Sequence, residues 1–206
     1  MVTDMESRRR LYAALSVLLH YPDHVTVRLT EDVRLMAKEL DADTAEDLQA
    51  FADWLDRTDL LQAQTHYVDL FDRKRRACLY MSYYLNGDTR RRGMAIVQFK
   101  ELYRKFGWES SSSELPDFLP TLLQFGAVAD LDAADAVLSG HRAGLEVLHR
   151  ALTDAKSPYA HLTSALLRVV PLGGEHADQV MQLIETGPPT ELVGLEPFAA
   201  PERIGV

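Results

Sequence analysis

What the chain lacks narrows it first. It has a single cysteine, Cys78, in 206 residues. An internal disulfide framework is therefore excluded, and a reducing, cytoplasmic setting is expected. No stretch approaches the ~18 uninterrupted apolar residues of a membrane span, so no membrane insertion is expected. Met1 to Arg10 is polar, and no secretory leader is expected there. Basic charge is short as well: 22 Lys and Arg against 31 Asp and Glu leave a net charge of −9. Nucleic acid, which needs a net basic face, is not expected as a partner. The same balance suits a cationic peptide segment.

Chemistry-bearing motifs are scarce too. The seven histidines never form an H-x-x-x-H pair on one helix; His20 and His24 are four apart but straddle Pro22. Metal ligands must converge, so no metal site is expected. There is no G-x-S-x-G elbow, Walker A loop or G-x-G-x-x-G turn, and no catalytic residue is assigned. Cys78 lies between basic and aromatic residues, which can lower a thiol pKa. A lone cysteine in an apolar stretch reads more simply as a small core residue. Glu114 and Asp117, three apart, could do acid–base work if desolvated. As acids at the start of a helix they also have a plain electrostatic role.

Strand alternation is nearly absent, and helical periodicity takes its place. Thr3-Asp-Met-Glu6 is a capping box for a helix with Leu11, Leu15, Leu18 and Leu19 on its face, stopped by Pro22. Leu29, Val33, Met36 and Leu40 mark a second helix, and Leu48, Phe51, Ala52 and Leu55 a third. Asp59 caps a fourth, with Leu60, Gln64, Tyr67, Val68 and Phe71 inward. A short aromatic helix, 77–85, ends at Asn86-Gly87; Asp88 then caps a long helix to Phe106. Pro116 and Pro120 place the next helix start near Pro116 or Asp117. Residues 130–139 are ambiguous, and helices follow over 143–155, 159–169 and 175–185. The sum is an all-α, single-domain bundle of roughly eight to ten helices over 1–186. A mobile tail, 187–206, with Pro188, Pro189, Pro197 and Pro201, is expected to follow.

The densest stretch is Thr65 to Val128. Aromatics crowd it, and it holds two basic clusters, Arg73 to Arg76 and Arg90 to Arg92. Tyr83 and Tyr84 are adjacent and cannot both face one core from one helix, so one is expected at a groove or surface. Within this stretch stand Tyr67-Val-Asp-Leu-Phe71-Asp72, Leu79-Tyr-Met-Ser-Tyr-Tyr-Leu85, Gly87-Asp-Thr-Arg-Arg-Arg-Gly93 and Glu114-Leu-Pro-Asp-Phe-Leu-Pro120. Together, and with the Leu11–Asp23 helix, they resemble the NarJ-type nitrate reductase assembly chaperones of the wider TorD/DmsD/NarJ group.

The resemblance implies an all-helical chaperone without catalytic turnover and with no cofactor bound directly. It implies binding, in the cytoplasm, of the N-terminal segment of the catalytic subunit of a respiratory nitrate reductase. That subunit would be held until molybdenum cofactor is inserted, before membrane attachment. A monomer or weak homodimer is expected. The family motif Glu-x-Pro-Asp-His is matched by Glu114, Pro116 and Asp117, but Phe118 stands at the histidine position. The expected peptide-binding groove is Tyr67, Phe71, Tyr80, Tyr84, Glu114, Pro116, Asp117 and Phe118, with Arg91 and Arg92 as orienting groups. Two alternatives stand: a chaperone of the same family serving another molybdoenzyme, and a small helical enzyme using Glu114 and Asp117.

Overall fold

Four aspartates set the frame by starting helices. The carboxylates of Asp23, Asp41, Asp59 and Asp130 each accept a backbone N–H from the first turn that follows. Each such cap satisfies a donor the helix leaves unpaired, worth about 1 kcal/mol. In the computed structural model, which describes residues 5–110 and 113–172, these caps open α2 (His24–Arg28), α4 (Ala42–Arg57), α5 (Leu60–Tyr67) and α9 (Leu131–Gly140). The remaining helices are α1 (Met5–Leu18), α3 (Thr30–Ala37), α6 (Met81–Asn86), α7 (Arg90–Lys105), α8 (Leu119–Val128), α10 (Arg142–Asp154) and α11 (Tyr159–Val169). Among the described residues there are eleven α-helices, nine of them of seven residues or more, and no named strand. Thr3 of the capping box, the predicted helix 175–185 and the tail 187–206 lie outside the described residues.

α1 lies along α8, α4 packs on both α3 and α11, and α10 and α9 close the bundle against α11 and α8. Leu11, Leu15, Leu18 and Leu19 are all fully buried, and each contributes about 1.5–3 kcal/mol relative to exposure. Tyr12, on the same helix, donates its buried hydroxyl to Asp135 at 2.6 Å. Gly126 of α8 makes room for that ring: a Cβ there would stand 2.8 Å from Tyr12 Cδ2 and 2.7 Å from the Ala134 Cβ. A second aromatic cluster surrounds the buried Tyr159, where Phe51, Trp54, His66, Tyr67 and Phe71 pack with centroids 4.9–6.1 Å away. It ties α4 and α5 to α11 and fixes the two aromatics that reach the groove.

Several sequence expectations are corrected. The expected second helix, marked by Leu29 to Leu40, is α3 and ends at Ala37; a short helix that the spacing does not predict, α2, precedes it. α5 runs on into a π-helical turn, Val68–Asp72, so Ala63, Tyr67, Leu70 and Phe71 are the buried set. The aromatic helix does not start at Ala77. A 3-10 turn, Arg75–Ala77, and extended residues precede α6. Thr89, not Asp88, holds the N-cap position of α7, and Asp88 pairs with Arg92 at 3.3 Å. α7 buries only Phe99 and Tyr103, while Phe106 is exposed. The ambiguous residues 130–139 form α9.

Candidate functional groove

The largest correction concerns Glu114 to Phe118. Pro116 lacks an N–H and pushes Leu115 away from helical geometry, so no helix forms there. α8 begins only at Leu119, with Pro120 in its first turn, where the missing donor costs nothing. The residues before it lie antiparallel beside those before α6. Met81 N–H donates to the Asp117 carbonyl at 2.9 Å and Leu119 N–H to the Leu79 carbonyl at 2.8 Å, forming an isolated bridge between Tyr80 and Phe118. Their rings pack 5.3 Å apart. Tyr103 of α7 secures the bridge by donating to the Pro116 carbonyl at 2.7 Å.

Asp117 sits at a helix start, but not its own. Its side chain is fully buried. One oxygen accepts the Ser82 N–H at 3.3 Å and the Ser82 hydroxyl, in the first turn of α6, 35 residues upstream. Its other oxygen has no hydrogen-bond partner. Glu114 turns the other way, is exposed, and accepts the Tyr80 hydroxyl at 2.6 Å. The carboxylate pair is thus divided between capping α6 and orienting Tyr80. Burial, reinforced by Glu114, raises the Tyr80 pKa well above the ordinary phenol value, so the hydroxyl remains a donor.

Tyr80 stands between two adjoining hollows that together form the candidate groove. On one side, about 200 Å³ is enclosed by His20, Tyr21, Tyr67, Phe71, Leu79 and Phe118, with Asp72 and Glu114 at the rim. On the other, about 330 Å³ opens between Lys74, Arg75, Cys78, Tyr83, Asp88 and Arg92, and Phe71, Asp72 and Tyr80 border both. The Arg92 guanidinium lies 5.5 Å from the Tyr80 ring centroid and 5.8 Å from that of Tyr83, a cation–π arrangement that orders the wall. Glu114 and Pro116 also border a hollow of about 410 Å³ with Trp108, Lys100 and Arg104.

The structure therefore brings together Tyr67, Phe71, Tyr80, Arg92, Glu114 and Phe118. Arg91 is exposed and lines neither part. Pro116 and Asp117 are buried behind the wall. Tyr84 is also behind it, with its hydroxyl on the Arg76 and Cys78 carbonyls at 3.1 and 2.8 Å. Of the adjacent tyrosines it is Tyr83 that lines the groove. Sequence reasoning missed His20, Tyr21, Lys74 and Arg75 as wall residues. The first two follow directly on the Leu11 helix, and the last two belong to a basic cluster already noted. The His20 ring meets Phe118 edge-on at 5.3 Å. Burial pushes the Cys78 thiol up to about 11, so it stays protonated near neutral pH and is unsuited to nucleophilic work. Among the described residues no cluster of three or more metal-ligating side chains occurs.

Four histidines bear on pH. Burial lowers the pKa of His20, His66, His141 and His149 below the ordinary 6.5. A depressed folded pKa means that the unfolded chain binds more protons below 6.5. The stability these groups confer is complete above that value and is lost as pH falls through the lowered folded values. The urea midpoint is expected to drop steadily from about pH 7 to about pH 5. A flat or rising midpoint over that range would show that the four rings are not held neutral.

The chain has the fold of a solved Archaeoglobus fulgidus structure described as a redox enzyme maturation protein, with a TM-score of 0.58 and 23% identity over 78% of this chain and 91% of that one. Sequence then specifies the family: the model for the nitrate reductase delta subunit matches residues 37–164, and the chain belongs to that family. Mycobacterium tuberculosis nitrate reductase-like protein NarX is 38% identical over 165 residues, 80% of this chain but 25% of NarX. The chain thus spans about a quarter of that relative. Escherichia coli NarJ, a nitrate reductase molybdenum cofactor assembly chaperone, is 33% identical over 75% of this chain and 67% of its own length. Bacillus subtilis NarJ is 30% identical over 78% and 88% respectively. The groove residues from Tyr67 to Phe118 lie inside the matched region, whereas His20 and Tyr21 precede it.

Proposed function

We propose that the protein is an assembly chaperone for the catalytic subunit of a respiratory nitrate reductase. It holds the N-terminal segment of that subunit in the groove while molybdenum cofactor is inserted, in the cytoplasm and before membrane attachment. The cofactor belongs to the client, and the chaperone binds none itself. Family membership and the named role of the NarJ relatives support this reading. Among the described residues no helix is long and apolar enough to cross a membrane.

The observation that carries the proposal is the Tyr80–Phe118 bridge. It presents aromatic side chains beside charged rims without bringing Glu114 and Asp117 to a common reacting point. A client segment docks as an amphipathic helix or turn, its apolar residues against Phe71, Tyr80 and Phe118. Glu114 and Asp72 meet basic client residues and speed encounter. Asp117, Pro116, Tyr84 and Tyr67 position the walls, Arg92 orders Tyr80, and Arg91 contributes from outside the groove. Calorimetric titration with a synthetic client N-terminal segment tests this. Wild type is expected to bind, and Tyr80→Ala and Glu114→Ala are each expected to weaken binding about tenfold, with helical content unchanged. No binding by wild type, or undiminished binding by the double variant, would overturn the assignment.

A further inference from the structure

We propose that the groove is electrostatically directional and selects a client segment carrying a basic residue on one side of its apolar anchor and an acidic residue on the other. This rests on the peptide-holding function proposed above and adds the charge order of the peptide. The part of the groove beyond Phe118 is bordered by two carboxylates, Asp72 and Glu114, and by no lysine or arginine. The part beyond Tyr83 is bordered by Lys74, Arg75 and Arg92 against Asp72 and Asp88. Asp88 is engaged by Arg92, whereas Lys74 and Arg75 are exposed and make no ion pair among the described residues.

The cations gather there although the chain as a whole has a net charge of −9. They do so because the fold brings residues from both basic clusters of the sequence to one side of Tyr80. Phe71, Asp72 and Tyr80 border both parts, so Glu114 alone marks the acidic end against Lys74, Arg75 and Arg92 at the other, and an occupant that satisfies both ends must carry an apolar group between its charges. A peptide does so, while a small anion would engage only the Lys74–Arg75 end. Opposed charges at the two ends penalise the reversed order by like-charge contact, which is how such surfaces fix register.

The test uses fluorescence polarisation with the full chain and three labelled peptides. One is the client N-terminal segment. The other two share one composition and one apolar core, with lysine and glutamate exchanged across it. Wild type is expected to prefer one order by about tenfold at low salt, with the preference shrinking as salt rises. The Lys74→Glu, Arg75→Glu variant, altered only at exposed positions, is expected to lose that preference while keeping its melting temperature. Equal binding of both orders by wild type, with the client segment still bound, would overturn the directionality and leave the chaperone function intact. Retention of the full preference by the variant would overturn the role of Lys74 and Arg75. Failure of wild type to bind any of the three peptides would overturn both proposals.

Discussion

Asp117→Ala is expected to lower the unfolding free energy by about 2–3 kcal/mol and to abolish binding of the client segment. The magnitude comes from two losses. The cap of α6 disappears, at about 0.5–2 kcal/mol. The buried Ser82 hydroxyl also loses its acceptor, at about 1–3 kcal/mol. Removal of the carboxylate oxygen that has no partner offsets part of this. The backbone bonds of the Tyr80–Phe118 bridge do not involve the side chain, so the chain still folds. Only the start of α6 loosens, and with it the wall that carries Tyr80 and Tyr83. Asp117→Asn retains an acceptor for Ser82 and is expected to lose roughly half as much. Urea unfolding at neutral pH, paired with calorimetric titration, checks both variants. An alanine variant within about 0.5 kcal/mol of wild type would show that Asp117 is not the cap.

The second large effect comes from a glycine. In the interior of an exposed helix Gly→Ala ordinarily stabilises by about 1 kcal/mol. At Gly144 of α10 the added Cβ would lie 2.8 Å from the Cβ, Cγ and Cδ2 of Tyr84. Tyr84 cannot retreat cheaply, because it is 1% exposed and its hydroxyl is held by two backbone carbonyls. Gly144→Ala is therefore expected to destabilise by about 1–2 kcal/mol, the usual overpacking cost of about 1–3 kcal/mol less part of the helix-propensity gain. The strain falls on the 3-10 turn that bears Arg75 and on Cys78, so client binding is expected to weaken as well. Thermal unfolding decides the sign, and a raised melting temperature would refute the close approach. Tyr84→Phe relieves no space but frees the two carbonyls, and about 1 kcal/mol of loss is expected there.

The two sites show how unevenly the groove was legible. Tyr67 and Phe71 are readable because helical periodicity places them on the buried face of α5 and of the π-helical turn that continues it, and Tyr159 collects them. Tyr80 and Phe118 were readable as an aromatic and an unusual motif residue, but not as partners. Adjacency says that Tyr83 and Tyr84 divide, but that Tyr83 lines the groove while Tyr84 packs on Gly144 is set sixty residues away and in another helix. Three residues apart, Glu114 and Asp117 read as acids of a single helix start. Asp117 does sit at a helix N-terminus, as its chemistry favours, but the helix is α6.

By itself the sequence determined that the chain is helical, which stripes are buried, and a few helix boundaries such as the Asp59 cap of α5 and the stop at Pro22. Caps, prolines and apolar spacing act within a few residues and need no knowledge of the rest of the molecule. Family likeness was determined there too, since it rests on short motifs in order. Tertiary structure alone decided that residues 79–81 pair with 117–119, that two basic clusters meet at one end of a groove, and that Glu114 and Asp117 part company. Those arrangements depend on hydrogen bonds and packing between segments distant in the chain. No local periodicity encodes them, because the partner that satisfies a buried donor is chosen by the closing of the whole core.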